Sequence, residues 1–240
     1  MRRVYVLSSL ALMLACKPTI TKDPEPAPRP VSDPATDPLI EQEAVRDAVR
    51  AYAEALNHRD ASAAIELVVA DTFRLHEDLR LAALNATRDE LEGWDLLSVI
   101  MILQSRSALT RAELEALDGQ GLFALTVSEG LVGEVELFSL DEVRVDEDGA
   151  LAQVRVEGVP VVWLRKATDR ADRPPRWRVD FPQMMQQGGL AYEAAAQERI
   201  AASGKVRTAY ILLELGTEQF LNLDILAGPL ESRGEAADAP

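Results

Sequence analysis

Two histidines, His58 and His76, and two aspartates in apolar settings, Asp71 and Asp180, are the side chains whose types could move a proton in this chain. The histidines lie 18 residues apart, without metal-type spacing to each other or to a cysteine, so no metal centre is expected. His58, in NHRD, falls at a corner between two helical stretches and reads as a surface residue. His76, in LHEDLR, reads as a loop or surface residue, with a cavity base as the chemical alternative. An aspartate in an apolar cavity can act as a general base, its pKa set by burial and hydrogen bonding. Asp71 fits a turn or cap. Asp180 alternates with Trp177, Val179 and Phe181 in RWRVDF, so it should face away from the core. Tyr52 lies on the apolar stripe of a helix and reads as core. Neither a phosphate-cradling glycine loop nor a G-x-S-x-G elbow occurs, and no cofactor is implied. The acidic run DEVRVDED, residues 141–148, lacks a calcium-loop pattern and reads as a solvated hairpin tip.

The remaining reactive residue is Cys16, the only cysteine. It excludes a disulfide within the chain, and its position points to another use. Residues 1–15, MRRVYVLSSLALMLA, place Arg2 and Arg3 before an apolar run too short to span a bilayer. That layout is a secretory signal, and small Ala15 precedes the cysteine. Residues Leu12 to Cys16 resemble the lipobox of bacterial lipoproteins, departing from it at Met13 and Leu14. The resemblance implies cleavage before Cys16, a diacylglycerol on its sulfur and an acylated amine. Two or three acyl chains give the stable anchoring that one chain cannot. Lys17 is not the aspartate that the resemblance associates with inner-membrane retention, which implies an outer-membrane anchor facing the periplasm.

Residues 17–38 hold seven of the 13 prolines and no hydrophobic run, so they cannot bury enough surface to fold. In polyproline II form they make a stalk of up to about 70 Å. A formal charge of −15, more negative once Arg2 and Arg3 leave with a signal, repels phosphate backbones. Nucleic acid is thereby excluded as a partner, as is electrostatic docking on anionic lipid.

The elements that would position the chemistry follow from periodicity. Val45, Val49, Tyr52 and Leu56 recur at helical spacing after Asp37-Pro38, and Asp60 can cap a second helix over ASAAIELVV. Residues 73–86 are ambiguous. Thr87–Glu90 and Thr110–Glu113 are capping boxes. The first predicts a helix through Leu91, Trp94, Leu97 and Met101, and Gly119 is expected to terminate the short second one. From about residue 134 the period becomes two, with a hairpin signal at Asp148-Gly149 and further strands in PVVWLRK and RWRVDF. After Pro182 two helices are expected, through AYEAAAQERIAA and VRTAYILLEL, with Gly188-Gly189 opening the first.

The expected fold class is α+β: N-terminal helices packed on a curved antiparallel meander, with extra C-terminal helices. The expected division is a signal at 1–15, a lipidated stalk at 16–38, one globular domain at 39–230 and a tail at 231–240. Over roughly residues 42–181 the element order resembles the nuclear-transport-factor-2-like, cystatin-related cone. That resemblance implies a sheet curved around the long helix; some members are cavity isomerases or dehydratases, and others only bind partners or ligands. Fold alone does not choose. The leading expectation is a non-enzymatic envelope lipoprotein that binds a partner protein or small apolar ligand. The alternatives are a cavity enzyme, or an assembly subunit docking through an exposed Tyr210–Leu213 patch on the C-terminal helices.

Overall fold

The computed structural model describes residues 38–131, 142–156, 158–168, 174–217 and 220–231; Cys16, the stalk up to residue 37 and the tail from residue 232 lie outside them. It opens with α1 (Pro38–Asn57), α2 (Ala61–Leu67) and α3 (Asp71–Asn85). A helical block follows: α4 (Arg88–Leu91), α5 (Leu96–Ala108), α6 (Arg111–Glu115) and α7 (Gly119–Ser128). Then come β1 (Glu142–Val145), β2 (Leu151–Val156), β3 (Val159–Ala167) and β4 (Arg176–Val179). The helices α8 (Phe181–Ser203) and α9 (Lys205–Thr217) and a 3-10 turn (Leu223–Leu226) complete the order. The strands pair consecutively and antiparallel, β1-β2-β3-β4. The α+β class with helices before and after a meander is as the residue pattern predicts.

Two large apolar clusters divide the interior, with a small third one of Leu97, Phe181 and Met185. In the sheet half, Val45, Val49, Tyr52 and Leu56 of α1 meet Val154, Leu164, Trp177 and Val179. The Trp177 indole N–H donates to Glu41 Oε2 at 2.9 Å, and Lys166 pairs with the other oxygen at 2.8 Å, so the first helix is pinned across β3 and β4. Inward residues of β2 alternate as read from the sequence until a register shift at Val154/Arg155, beyond which Val156 is only half-buried. The hairpin turn has Gly149 at φ 65°, a conformation that glycine adopts without steric cost.

The helical half is built around α5, whose Leu96, Val99, Ile102 and Leu103 are fully buried. Within it lies a charge. Arg106 is 0% exposed and has no carboxylate partner among the described residues; its guanidinium donates to the carbonyls of Ala83 (2.8 Å), Ala82 (3.1 Å), Ala86 and Ile225 (3.1 Å). Three of these carbonyls lie at the C-terminal end of α3, where backbone donors run out (Ala82 still accepts from the Ala86 N–H) and where the helix dipole favours a cation. The fourth ties in the C-terminal segment. Burial, aided by the charge of Arg111, lowers the Arg106 pKa to about 10, which still leaves it protonated at neutral pH.

Several local expectations are corrected. The box at Thr87–Glu90 is present, but its helix ends after Leu91, and a new one starts with Asp95 accepting from the Ser98 N–H at 2.9 Å. Trp94 sits in the break. The ambiguous stretch 73–86 is helical within α3. Gly119 does not terminate a helix: it is the first residue of α7, capped by Asp118. A Cβ there would lie 2.1 Å from the Phe73 carbonyl oxygen, so glycine is required by the approach of α7 to α3. Gly188 and Gly189 fall inside α8 instead of opening it, and a Cβ on Gly189 would meet Asp95 Oδ1 at 2.6 Å. Tyr210 and Leu213 are buried, at 3% and 6%, not an exposed patch. They lie beneath the chain after α9, where the Tyr210 hydroxyl donates to the Leu221 carbonyl at 2.6 Å.

Arg106→Lys should lower stability by about 3 kcal/mol, because an ammonium cannot reach four carbonyls at once and leaves buried acceptors unmet. Denaturant unfolding measures this. A loss under about 1 kcal/mol would show that water takes over the carbonyls.

Candidate functional site

Three of the four proton-moving residues singled out in the sequence, Asp71, His76 and Asp180, gather at one place, the N-terminal half of α3 where it meets the end of β4. Asp60 caps α2 by accepting from the Ala63 N–H at 2.9 Å, and the chain then leaves α2 at Val68 in extended form. Val68 forms a parallel bridge with Val179, and the Val69 N–H donates to the Val179 carbonyl at 3.0 Å. This seam sets the first turn of α3 beside the last residue of β4. Asp71 starts α3, and Asp180 caps α8.

Arg165 of β3 joins the two aspartates. It donates to Asp180 Oδ2 through Nε (2.8 Å) and Nη2 (2.5 Å), and through Nη1 to Asp71 Oδ2 at 3.1 Å. Asp71 also pairs with Arg74. The hydrogen bonds of Asp180, then those of Asp71, hold the Arg165 pKa above its ordinary value. Across the sheet Arg165 stands opposite Arg178, and two cations in register repel. The carboxylates offset that repulsion, while Arg178 donates to the Val68 carbonyl at 3.2 Å.

Asp180 corrects the sequence reading. It is 3% exposed, not solvent-facing. The alternation of β4 stops at Val179, so parity no longer governs the next side chain, and Oδ1 of Asp180 accepts from the Gln183 N–H at 3.2 Å as the cap of α8. Pro182 in the first turn was the available signal, since Asp followed by an early Pro marks a helix start. Asp71 is the acidic residue of a first turn, where the helix dipole favours it, as expected of a cap-like position.

His76 is likewise corrected: it is neither loop nor surface but 0% exposed on the inner face of α3. Its Nδ1 lies 2.8 Å from the Thr72 carbonyl, which as an acceptor requires the proton on Nδ1 and leaves Nε2 bare. The ring meets Phe123 edge-on, centroids 5.1 Å apart, and Phe181 at 5.2 Å. Burial lowers its pKa to about 4, partly opposed by the Thr72 bond. Among the described residues, His76 Nε2, Thr72 Oγ1 and Tyr52 Oη are buried without a hydrogen-bond partner. Tyr52 lies on the apolar stripe as read, and burial pushes its pKa up. His58 is exposed at its corner, also as read.

Arg165 was not singled out in the sequence, although it organises the cluster. Its partners lie 15 and 94 residues away, so no local spacing signals it. The hairpin acid Asp146 accepts from the Ala150 and Leu151 N–H groups at 2.8 and 3.0 Å, which shapes the tip. Among the described residues no cluster of three or more His, Cys, Asp or Glu could hold a metal ion, and no helix is long and apolar enough to cross a membrane. Set against known protein families, curated proteins and solved structures, the chain matches none of them.

Asp180→Asn keeps a capping side chain but removes the charge that Arg165 holds. It should cost about 1–3 kcal/mol in denaturant unfolding, and a value under about 0.5 kcal/mol would mean that the ion pair is unimportant. For His76 the direction with pH follows from its lowered pKa. Between 6.5 and about 4 the unfolded chain binds a proton that the folded chain refuses. Stability is therefore full above 6.5 and falls as pH drops to about 4, by about 3 kcal/mol in total. His76→Phe should flatten that part of the stability–pH curve relative to wild type; an unchanged slope would show that His76 is already charged or solvated.

Proposed function

We propose that this chain is a non-enzymatic envelope lipoprotein. It is anchored through acyl chains at Cys16, carried on the proline-rich stalk and, from Lys17, faces the periplasm from the outer membrane. Its α+β body, which we read as a nuclear-transport-factor-2-like cone, binds a partner protein or small apolar ligand. The observation that carries the non-enzymatic part is the use of the two candidate carboxylates. Both are engaged by one guanidinium, and Asp180 additionally closes the N-terminus of α8. A general base needs a carboxylate free to take a proton, and a positive charge held against it opposes that step. His76 is neutral, but a helix carbonyl and two phenyl rings fix it in place. These tasks are structural, which favours binding over turnover.

The anchor rests on the apolar run, Ala15 and Cys16. Cys16→Ser should abolish incorporation of radiolabelled palmitate and move the protein from the detergent phase to the aqueous phase. Retention of label and of wild-type membrane fractionation by the variant would refute the lipoprotein reading.

A further inference from the structure

The bare nitrogen of His76 is the least explained group in the molecule. A buried acceptor left without a donor costs on the order of 1–3 kcal/mol, and the Thr72 hydroxyl, one turn earlier on the same helix, is buried unpaired as well. The Nδ1 bond to the Thr72 carbonyl and the contacts of the ring with Phe123 and Phe181 hold the imidazole in this orientation. The surroundings of this turn are apolar and of two kinds. Phe123, backed by Phe73 with centroids 5.8 Å apart, and Phe181 form stiff aromatic walls against the imidazole. Beyond Phe181 the packing is soft: Met185 and Leu97 are its buried neighbours, with Met101 and Leu75 against them. Unbranched thioethers change shape at little cost, so this side can yield to a guest where the aromatic side cannot.

We propose that the His76–Thr72 turn is a ligand site that takes a compact, neutral alcohol with an apolar body. The hydroxyl proton is donated to Nε2, which the Nδ1 bond to Thr72 has fixed as an acceptor. The body lies against Phe181 and displaces the methionine side. Charged ligands are disfavoured, since the neighbouring Asp71, Asp180 and Arg165 are already paired with one another and desolvating a further charge without a counter-ion is costly. Ethers and hydrocarbons of the same shape are discriminated against because they leave Nε2 unmet. This inference deepens the small-ligand part of the proposed function and rests on it, but not on the lipid anchor.

The two histidines make the test direct. The full chain, purified in detergent with 15N-labelled histidine, carries only two imidazoles, and exposed His58 is the internal control. Benzyl alcohol should shift the His76 Nε2 resonance saturably and leave His58 unmoved. Benzyl methyl ether, which keeps the aromatic body and the oxygen but carries a methyl in place of the donated proton, should bind about tenfold more weakly, the difference of one hydrogen bond. The proposal is overturned by an absent or non-saturating shift at His76, by parallel movement of both histidines, or by equal binding of alcohol and ether. None of those outcomes alters the palmitate and fractionation result at Cys16, so failure of this site and failure of the anchored-lipoprotein reading are separable.

Discussion

Helix α3 is held at both ends by arginine, and most of the architecture depends on that. At its C-terminal end Arg106 gathers three α3 carbonyls, and at its N-terminal end Arg165 reaches Asp71. The two contacts have opposite electrostatic sense. Arg106 meets the negative end of the helix dipole directly, whereas Arg165 meets the positive end through a carboxylate set between them. Each arginine has a second allegiance: Arg106 to the 3-10 turn near the C-terminus, Arg165 to the cap of α8. The helical half and the sheet half are thereby referred to one rod. The glycine at position 119, which lets α7 close on the Phe73 carbonyl, presses the same rod from a third side.

The fate of the charged residues follows from burial. A carboxylate or guanidinium withdrawn from water is tolerated when its hydrogen-bonding capacity is met, and here it is met by backbone groups and by ion pairs. Arg106 uses carbonyls alone. Asp180 divides its two oxygens between a guanidinium and the helix N–H of Gln183. Among the described residues the imidazole Nε2 of His76 and the hydroxyls of Thr72 and Tyr52 are buried without a partner.

The element order was legible in the residues, because it rests on local signals. Helical spacing in α1, the Asp60 cap, the Asp148-Gly149 turn and the alternation through Trp177 each need fewer than a dozen neighbours to read. The failures share one cause. Asp180 carried two local signals, strand parity and a cap-plus-proline signature, and the second prevailed because β4 ends one residue earlier. Gly119 looked like a terminator, although its reason is a backbone 46 positions away in the chain. Arg106 was not singled out in the sequence, because its acceptors are 20 to 119 residues distant. His76 could not be placed without knowing that residues 73–86 form a helix between two aromatic partners. Contacts of that separation leave no periodic trace.

The C-terminal segment has a consequence in time. Besides receiving one Arg106 hydrogen bond at Ile225, it bridges Leu230 to Thr110 and covers Tyr210. During synthesis α5 is complete more than a hundred residues before position 225 exists. Arg106 therefore lacks one of its four acceptors until residue 225 has been made, and the helical half takes its final order only when that segment docks. Folding of the helical half is thus gated by the segment around Ile225, far along the chain from the residues that would be fastened to a membrane.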